Sequence, residues 1–208
     1  MSNNEQLFKT IVVEFSGGSN TGKTTMANAV TAELGFRGMS AAYLAEYVKG
    51  PVLEGRTSVL EDQRYLYTKH RRQLLTRLGK YQVIICDGGM AHSLHYAVSE
   101  DPEELADFRR DVIKKIRKLK IVHYYFERRY DIPFETVGRY QSSHEEASKD
   151  DGGILAVLRD KRDYSKVSYS TLTEEKNCII LRKQKIYFGP SLTTCLAINI
   201  IFLFSHLF

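Results

Sequence analysis

The chain has 208 residues, enough for one domain of ordinary size with its own hydrophobic core. Apolar residues make up 43% and charged residues 26% of the sequence, a balance that excludes a wholly disordered chain. The formal net charge of +5 favours an anionic partner, either a phosphate-bearing small molecule or a polynucleotide.

Strand and helix patterns alternate along the chain. In chain order we predict a strand at 10–16, a helix at 24–34, a strand at 40–46, a helix at 58–78, a strand at 81–86, a helix at 101–118, and strands at 120–126 and 177–181. Ser58 and Glu61 have the spacing of a capping box, and Asp101-Pro102 is a typical helix start. The alternation predicts an α/β fold with a five-stranded parallel sheet covered by helices on both faces.

The segment between the first strand and the first helix fits the P-loop pattern G-x-x-x-x-G-K-[ST] at every specified position. Its glycines let successive backbone N–H groups turn toward one anion, and the positive end of the following helix adds to the attraction. In such a loop Lys23 reaches the β- and γ-phosphates, and Thr24 offers its hydroxyl to Mg²⁺. The sequence therefore predicts a site for ATP with Mg²⁺ at Gly17, Gly18, Ser19, Asn20, Thr21, Gly22, Lys23, Thr24 and Thr25.

A phosphate-binding loop of this kind needs a second side chain that faces the metal. P-loop enzymes place an acid at the end of an apolar strand beside the P-loop strand. Asp87 follows the strand at 81–86 in this way, so we predict that it joins Thr24 at the magnesium ion and takes part in catalysis. The alternative interpretation is a turn-forming aspartate before Gly88 and Gly89.

The remaining motifs favour a small-molecule kinase. The chain lacks the Asn-Lys-x-Asp stretch of Ras-type GTPases and the Gly-rich signature of transporter ATPases. A kinase closes an arginine-bearing lid over the γ-phosphate, which neutralises charge and excludes water. We predict a kinase-like domain over residues 1–185, with its lid at about 127–165.

Several short segments carry a family resemblance. They are Glu46 after the second strand, Glu61-Asp62-Gln63, Asp87 followed by Ser93-Leu94-His95-Tyr96-Ala97, and Gly138-Arg139-Tyr140-Gln141 before Glu145-Glu146-Ala147. Over about residues 9–183 the chain resembles a family of small AAA-type P-loop kinases, similar to nicotinamide riboside kinase domains and to phage-encoded deoxynucleoside or deoxynucleotide kinases. The resemblance implies transfer of the γ-phosphoryl group of ATP to a nucleoside- or nucleotide-like acceptor. It also implies that Arg139 is catalytic and that Arg128 and Arg129, at the lid entrance, contact the ATP phosphates.

Three further residues are candidates for binding the acceptor. Glu46 lies beyond the carboxyl end of a strand, where open α/β sheets bind ligands, so it can orient the acceptor hydroxyl or act as its general base. Gln63 and Tyr67 lie four residues apart on one helical face and can present an amide and a ring to a base. The alternatives are an exposed acid at Glu46 and an ordinary amphipathic surface at the other two.

Other interpretations stay open on the sequence alone. Arg128 and Arg129 also fit a solvated basic pair at a strand end. Asp87-Gly88-Gly89 departs from the Asp-Arg or Asp-Ser-Pro of related kinases, and this leaves room for a nucleotide-dependent binding or switch protein with little catalysis. Gly152 and Gly153 interrupt the expected lid helix, which predicts a looser lid.

We expect structural or solvated positions for the histidines and basic residues outside these motifs. His92 and His95 lack a third metal ligand at suitable spacing, so we expect packing or hydrogen bonding from them. The basic cluster at 114–120 interleaves with Val112, Ile113 and Ile116, which favours the solvated face of an amphipathic helix over a nucleic-acid site.

The end of the sequence has a different composition from the body. Residues 186–208 form an apolar tail, and 192–208 is near the lower length limit for a membrane span. Its polar residues disfavour insertion, and three interpretations stay open: a membrane anchor, a segment docked on the domain and a non-native extension. The three separated cysteines and the polar first residues favour free thiols and a cytoplasmic location.

Overall fold

Runs of β-branched residues form the centre of the fold, and every residue of β1 (Ile11–Ser16) and β3 (Val83–Asp87) is buried. The computed structural model describes residues 10–90, 92–99, 101–119 and 121–159, together with the backbone of a strand at 168–172. The other elements are α1 (Lys23–Phe36), β2 (Ala41–Leu44), α2 (Lys49–Leu53), a 3-10 helix (Thr57–Leu60), α3 (Gln63–Leu75), α4 (His92–Tyr96), α5 (Pro102–Ile116), β4 (Ile121–Phe126), α6 (His144–Arg159) and β5 (Ser168–Leu172).

All strand pairs of the sheet are parallel, in the order β2-β3-β1-β4-β5. Asp87 at the end of β3 pairs with Phe15 of β1, so the P-loop and this acid leave the same edge of the sheet side by side. The predicted parallel α/β fold is confirmed. The predicted strand at 177–181 lies outside the described residues, and the strand paired with β4 at this edge is β5.

Alternate residues of the strands form two cores, one on each face of the sheet. On one face Val13 and Phe15 pack against α1, through its Ala27, Val30 and Leu34. On the other face Val12 belongs to a core that helices α3, α5 and α6 cover through Leu74, Val112, Ile116, Ile154 and Leu158. Both faces are therefore covered by helices, as predicted. The buried stripe of α5 contains Val112, Ile113 and Ile116, which confirms the amphipathic helix.

The starts of two helices show how side-chain caps decide a boundary. Helix α5 begins as predicted, because the side chain of Asp101 accepts a hydrogen bond from the Glu103 N–H at 2.8 Å. The predicted start of α3 at Ser58 is wrong. Residues 57–60 form a 3-10 turn, and α3 starts at Gln63, where Asp62 caps it by accepting from the Tyr65 N–H at 2.8 Å.

The lid region consists of the segment 127–143 followed by α6. Helix α6 runs without a break through Gly152 and Gly153, so the expected interruption is absent. A Cβ on Gly153 would collide with the His95 ring. The close packing of α4 on α6 therefore explains why this position is a glycine.

In the part of the chain that the structure describes, no helix combines the length and apolarity needed to cross a bilayer. The tail at 192–208 lies outside that part.

Candidate active site

The P-loop leaves β1 in a turn that requires glycine at its first position. Gly17 has a φ of 138°, and a Cβ there would lie 2.6 Å from the carbonyl oxygen of Phe126. Gly22, with a φ of 87°, precedes α1. Among the described residues no side chain caps that helix, and its first turn contains no acid. The N–H groups at the start of α1 are therefore open to an anion. Thr25 lies exposed in this first turn.

Lys23 lies over the loop with its side chain buried. Its Nζ donates to the carbonyl oxygen of Gly18 at 2.6 Å and to Thr21 Oγ1 at 3.5 Å, both of which are neutral oxygens. Burial lowers the pKa of Lys23, while the nearby carboxylates of Glu46 and Asp87 act in the opposite direction. A buried ammonium group with neutral hydrogen-bond partners is well placed to receive an anion.

Thr24 and Asp87 meet at the edge of the sheet, as the sequence predicts. The Thr24 hydroxyl donates to Asp87 Oδ2 at 2.6 Å, and the Tyr43 hydroxyl reaches the same oxygen at 3.1 Å. Lys49 Nζ also donates to Asp87 Oδ2, at 2.8 Å. Burial opposes ionisation of Asp87, but the hydrogen bonds from Lys49 and Thr24 and the charges of Lys49 and Lys23 outweigh it and lower the pKa.

These oxygens have the chemistry of a magnesium site. A carboxylate and a hydroxyl converge on one point, and hard oxygen ligands are what Mg²⁺ prefers. A cation already fits there, since the Lys49 ammonium group binds both oxygens. Asp87 Oδ1 is buried and has no hydrogen-bond partner among the described residues, so it too can serve a ligand.

Beside this pair is a cavity of about 450 Å³. Its lining includes Ser19, Glu46, Lys49, Gln63, Asp87 and Arg139. Burial raises the pKa of Glu46, and the charge of Asp87 acts in the same direction, while Lys23, Lys49 and Arg139 oppose the shift. The structure thus brings the predicted catalytic set of Lys23, Glu46, Asp87 and Arg139 together at one site.

The lid segment contacts the P-loop directly. Ser19 Oγ donates to Gln141 Oε1 at 2.8 Å, and the Asn20 amide donates to the carbonyl oxygen of Pro133 at 3.2 Å. Gln141 in turn donates to Asp150 Oδ2 of α6 at 3.0 Å. These contacts hold the segment that carries Arg139 beside the phosphate loop.

The two arginines at the lid entrance occupy different environments. Arg128 has a side chain only 2% exposed, forms a bidentate pair with Asp151 at 2.7 and 2.9 Å, and donates to the carbonyl oxygen of Ser19 at 2.7 Å. Arg129 is 41% exposed and pairs with Asp131 at 2.6 Å. Neither side chain lines the cavity. Arg128 therefore supports the P-loop backbone and is not a solvated surface residue, while its contact with the ATP phosphates stays a prediction.

The two predicted acceptor residues on α3, Gln63 and Tyr67, also have different environments. Gln63 lines the cavity and donates to the carbonyl oxygen of Leu60 at 2.6 Å. Tyr67 is 4% exposed and packs edge-to-face on Phe108, with ring centroids 5.7 Å apart. Tyr67 therefore belongs to the core and does not line the cavity, because α5 covers its face of α3.

The histidines have the structural roles that the sequence predicts. His92 Nε2 accepts from the Gly17 N–H at 3.4 Å, and burial lowers the pKa of His92 to about 3, so the ring is a neutral acceptor. His95 bonds Asp150 at 3.1 Å. Among the described residues, no group of three histidine, cysteine or acidic side chains is arranged to hold a metal ion.

Sequence reasoning missed Lys49, Gln141 and Asp151. Lys49 follows Glu46 by three residues, and this short spacing after a strand was the available signal. Gln141 belongs to the Gly-Arg-Tyr-Gln segment, but its partners are remote in sequence. Asp151 gives no sequence signal, since its pairing with Arg128 depends on where α6 packs.

Comparison with known proteins confirms the expected resemblance for the fold. No protein-family model and no curated protein sequence matches the chain. Among solved structures, NadR protein in complex with NAD and AMP-PNP matches with a TM-score of 0.58 and 16% identity, covering 97% of this chain and 51% of that one. A deoxyadenosine kinase from M. mycoides, with products dCMP and dCDP bound, matches with a TM-score of 0.54 and 13% identity, covering 93% of this chain and 99% of that one. The chain thus shares its fold with these two structures and spans about half the length of the NadR chain.

Proposed function

We propose that this protein is an ATP-dependent kinase that transfers the γ-phosphoryl group to a hydroxyl of a nucleoside-like acceptor. The observation that carries the proposal is the arrangement around one cavity: Glu46, Asp87 and Arg139 line it. Thr24 bonds Asp87 behind the wall, and Lys23 is close enough to interact with the charges of all three. Bound AMP-PNP in one structural neighbour and the kinase activity named for the other support it.

The chain's own groups would act on the phosphates by position and charge. The P-loop N–H groups, the start of α1 and Lys23 bind the triphosphate, and Arg139 neutralises charge on the transferring group from the lid side. Thr24 and Asp87 would hold Mg²⁺, which supplies further positive charge to the phosphate oxygens. Because little covalent chemistry is needed, the alignment of donor and acceptor contributes most of the rate.

Glu46 would orient the acceptor hydroxyl and accept its proton. Burial raises the pKa of this carboxyl toward the range useful to a general base, while Lys23, Lys49 and Arg139 limit the rise. Gln63, at the cavity wall, provides an amide for the base or a similar group of the acceptor.

The charges of the cavity wall support a nucleoside over a nucleotide acceptor. The described residues that line the cavity include four acids, Glu46, Glu61, Asp87 and Asp150, against two strong bases, Lys49 and Arg139. Both bases lie at the phosphate-transfer site, as their effects on Glu46 indicate. A phosphorylated acceptor would need further cations for its own phosphate, so a neutral or cationic acceptor fits better.

The test is transfer of label from γ-labelled ATP in the presence of Mg²⁺. Pooled nucleosides and pooled nucleoside monophosphates serve as separate acceptors, and we expect a labelled product from the nucleosides. Lys23→Ala and Asp87→Asn should each lower kcat by about 100-fold or more, because each removes a charge that acts on the transition state. Lys114→Ala, an exposed position on α5, is the matched control and should retain full activity.

Two results would reject the kinase. One is wild-type turnover by the Lys23→Ala variant. The other is binding of ATP by the wild type without any labelled product, which would support the nucleotide-dependent switch. The direct bonds from Ser19 and Asn20 to the lid segment would then be the route by which the loop responds to nucleotide.

A further inference from the structure

Lys49 has a position that none of the predicted motifs accounts for. It is the first residue of α2, and its side chain is 26% exposed at the cavity wall. Its Nζ lies 2.8 Å from Asp87 Oδ2 and 2.5 Å from Thr24 Oγ1. These two oxygens are 2.6 Å apart, so the ammonium group caps the pair.

The same two oxygens are the ones proposed to hold Mg²⁺. A magnesium ion bonds its oxygen ligands at about 2.0–2.1 Å. An ammonium group within hydrogen-bond distance of both oxygens occupies much of that space and carries the same sign of charge. The metal ion and the Lys49 ammonium group therefore exclude each other from this position.

We propose that Lys49 is the resident cation of the Thr24–Asp87 site in the nucleotide-free protein and that metal bound to nucleotide displaces it. The proposal rests on the proposed function, because that function brings the metal to these oxygens.

Charge balance favours the displacement of Lys49 by metal that arrives with nucleotide over displacement by the free ion. Asp87 is fully buried, and a buried carboxylate without a paired cation is costly, so a cation is needed whether or not ligand is present. Free Mg²⁺ must break two Lys49 hydrogen bonds to enter. Metal that arrives with a triphosphate brings anionic oxygens to which the released ammonium group can bind. Metal and nucleotide are then expected to bind as one unit, with little metal bound to the free protein.

The test measures Mn²⁺ binding to the nucleotide-free protein by electron paramagnetic resonance of the free ion. Lys49→Met removes the ammonium group and keeps an unbranched side chain of similar size. Lys49→Arg is the matched control, because it keeps a cation at this position. We expect Lys49→Met to bind Mn²⁺ about tenfold or more tightly than the wild type, since a competing pair of charged hydrogen bonds is gone. Lys49→Arg should bind Mn²⁺ as weakly as the wild type.

A double variant fixes the location of the ion. Adding Asp87→Asn to Lys49→Met should abolish the gain, and a gain that persists would overturn the proposal, because the ion would then lie elsewhere. Equal Mn²⁺ affinity of wild type and Lys49→Met would overturn it as well. Lys49→Gln, a second neutral variant with polar character, provides the same comparison if circular dichroism shows that Lys49→Met is misfolded.

The test of Lys49 and the test of the proposed kinase function can fail independently. Binding of Mn²⁺ with AMP-PNP to the wild type is measured in parallel by calorimetry. Absence of nucleotide binding would reject the kinase, whereas the comparison of Lys49 variants contains no nucleotide. Normal nucleotide binding with no effect of Lys49→Met on free Mn²⁺ rejects the role of Lys49 alone.

Discussion

Glu14 is a carboxyl group buried in the middle of β1, next to the P-loop. Its Oε1 accepts from the Met90 N–H at 3.2 Å, and its Oε2 lies 3.2 Å from His123 Nδ1 on β4. A Cβ on Gly89 would lie 2.5 Å from Oε2, so Glu14 packs tightly against the residues that follow Asp87. Burial raises the pKa of Glu14 to about 8, against the bond from Met90, and the group is therefore protonated at neutral pH.

This burial predicts a pH dependence of stability. The folded-state pKa is above the unfolded value of 4.5, so the native protein keeps a proton that the unfolded chain releases. The stability that this proton contributes is complete below pH 4.5 and is lost as pH rises to about 8. The buried rings of His70, His92 and His123 have lowered pKa values of about 4, 3 and 3, so the stability they contribute increases mainly as pH rises toward their usual value of 6.5.

We therefore expect the wild-type free energy of unfolding to fall by about 2 kcal/mol more than that of Glu14→Gln between pH 6.5 and 8. Urea denaturation at several pH values measures this difference. Glu145→Gln, at an exposed position of α6, is the control and should keep the wild-type slope. Identical slopes for Glu14→Gln and the wild type would show that Glu14 ionises normally in the folded protein.

Helix α6 contains two adjacent glycines in different surroundings. Gly152 is exposed, and a Cβ there would meet nothing within 4 Å. A Cβ on Gly153 would collide with the ring of His95, which bonds Asp150 at 3.1 Å. Alanine in place of an unhindered helix glycine stabilises the fold, whereas overpacking destabilises it.

The two substitutions should therefore act in opposite directions. We expect Gly152→Ala to raise the free energy of unfolding by about 0.5–1 kcal/mol. Gly153→Ala should lower it by roughly 1–3 kcal/mol, because α4 and α6 must move apart. Denaturant titration of both variants measures the effects. A rise of similar size in both would mean that His95 does not pack on Gly153.

Elements with a strong local signal could be predicted from the sequence. The P-loop strand, α1 and β3 follow from apolar runs, glycines and the Lys23-Thr24 pair, which act over a few residues. The start of α3 could not be located, because Ser58 and Asp62 are both plausible caps and only the conformation of residues 57–60 decides between them. The interruption expected at Gly152 failed for a related reason, since tertiary packing overrides helix propensity.

The site residues, too, were predictable only where their positions follow from local pattern and strand topology. Thr24 and Asp87 could be paired in advance, because parallel strands bring their carboxyl ends to one edge. Lys49 reaches them across 25 and 38 residues, and Gln141 reaches Ser19 across 122, distances over which sequence spacing carries no information. Tyr67 was placed in the site by its spacing from Gln63, yet the packing of Phe108 on its ring puts it in the core.

Across the molecule, the candidate site joins segments that would otherwise be separate. The P-loop belongs to β1 and α1, Asp87 to β3, Glu46 and Lys49 to the region after β2, and the lid segment to the connection between β4 and α6. Arg128 and Asp151 link the lid connection to the loop backbone at Ser19. A ligand that bridges these segments must therefore stabilise the whole domain and not the loop alone.

Nucleotide binding should consequently raise the thermal unfolding midpoint. Mg²⁺ with AMP-PNP at about 100 times its Kd contributes about 2.7 kcal/mol, which corresponds to roughly 5–10 °C for a domain of this size. Lys23→Ala should show a much smaller shift at the same concentration, because the proposed contact of the Lys23 ammonium group with the β- and γ-phosphates is lost. AMP, which lacks those phosphates, should shift the wild type less than AMP-PNP does, and scanning calorimetry compares the three. Equal shifts for the wild type and Lys23→Ala would place the nucleotide away from the P-loop, because a site that uses this ammonium group cannot bind equally well without it.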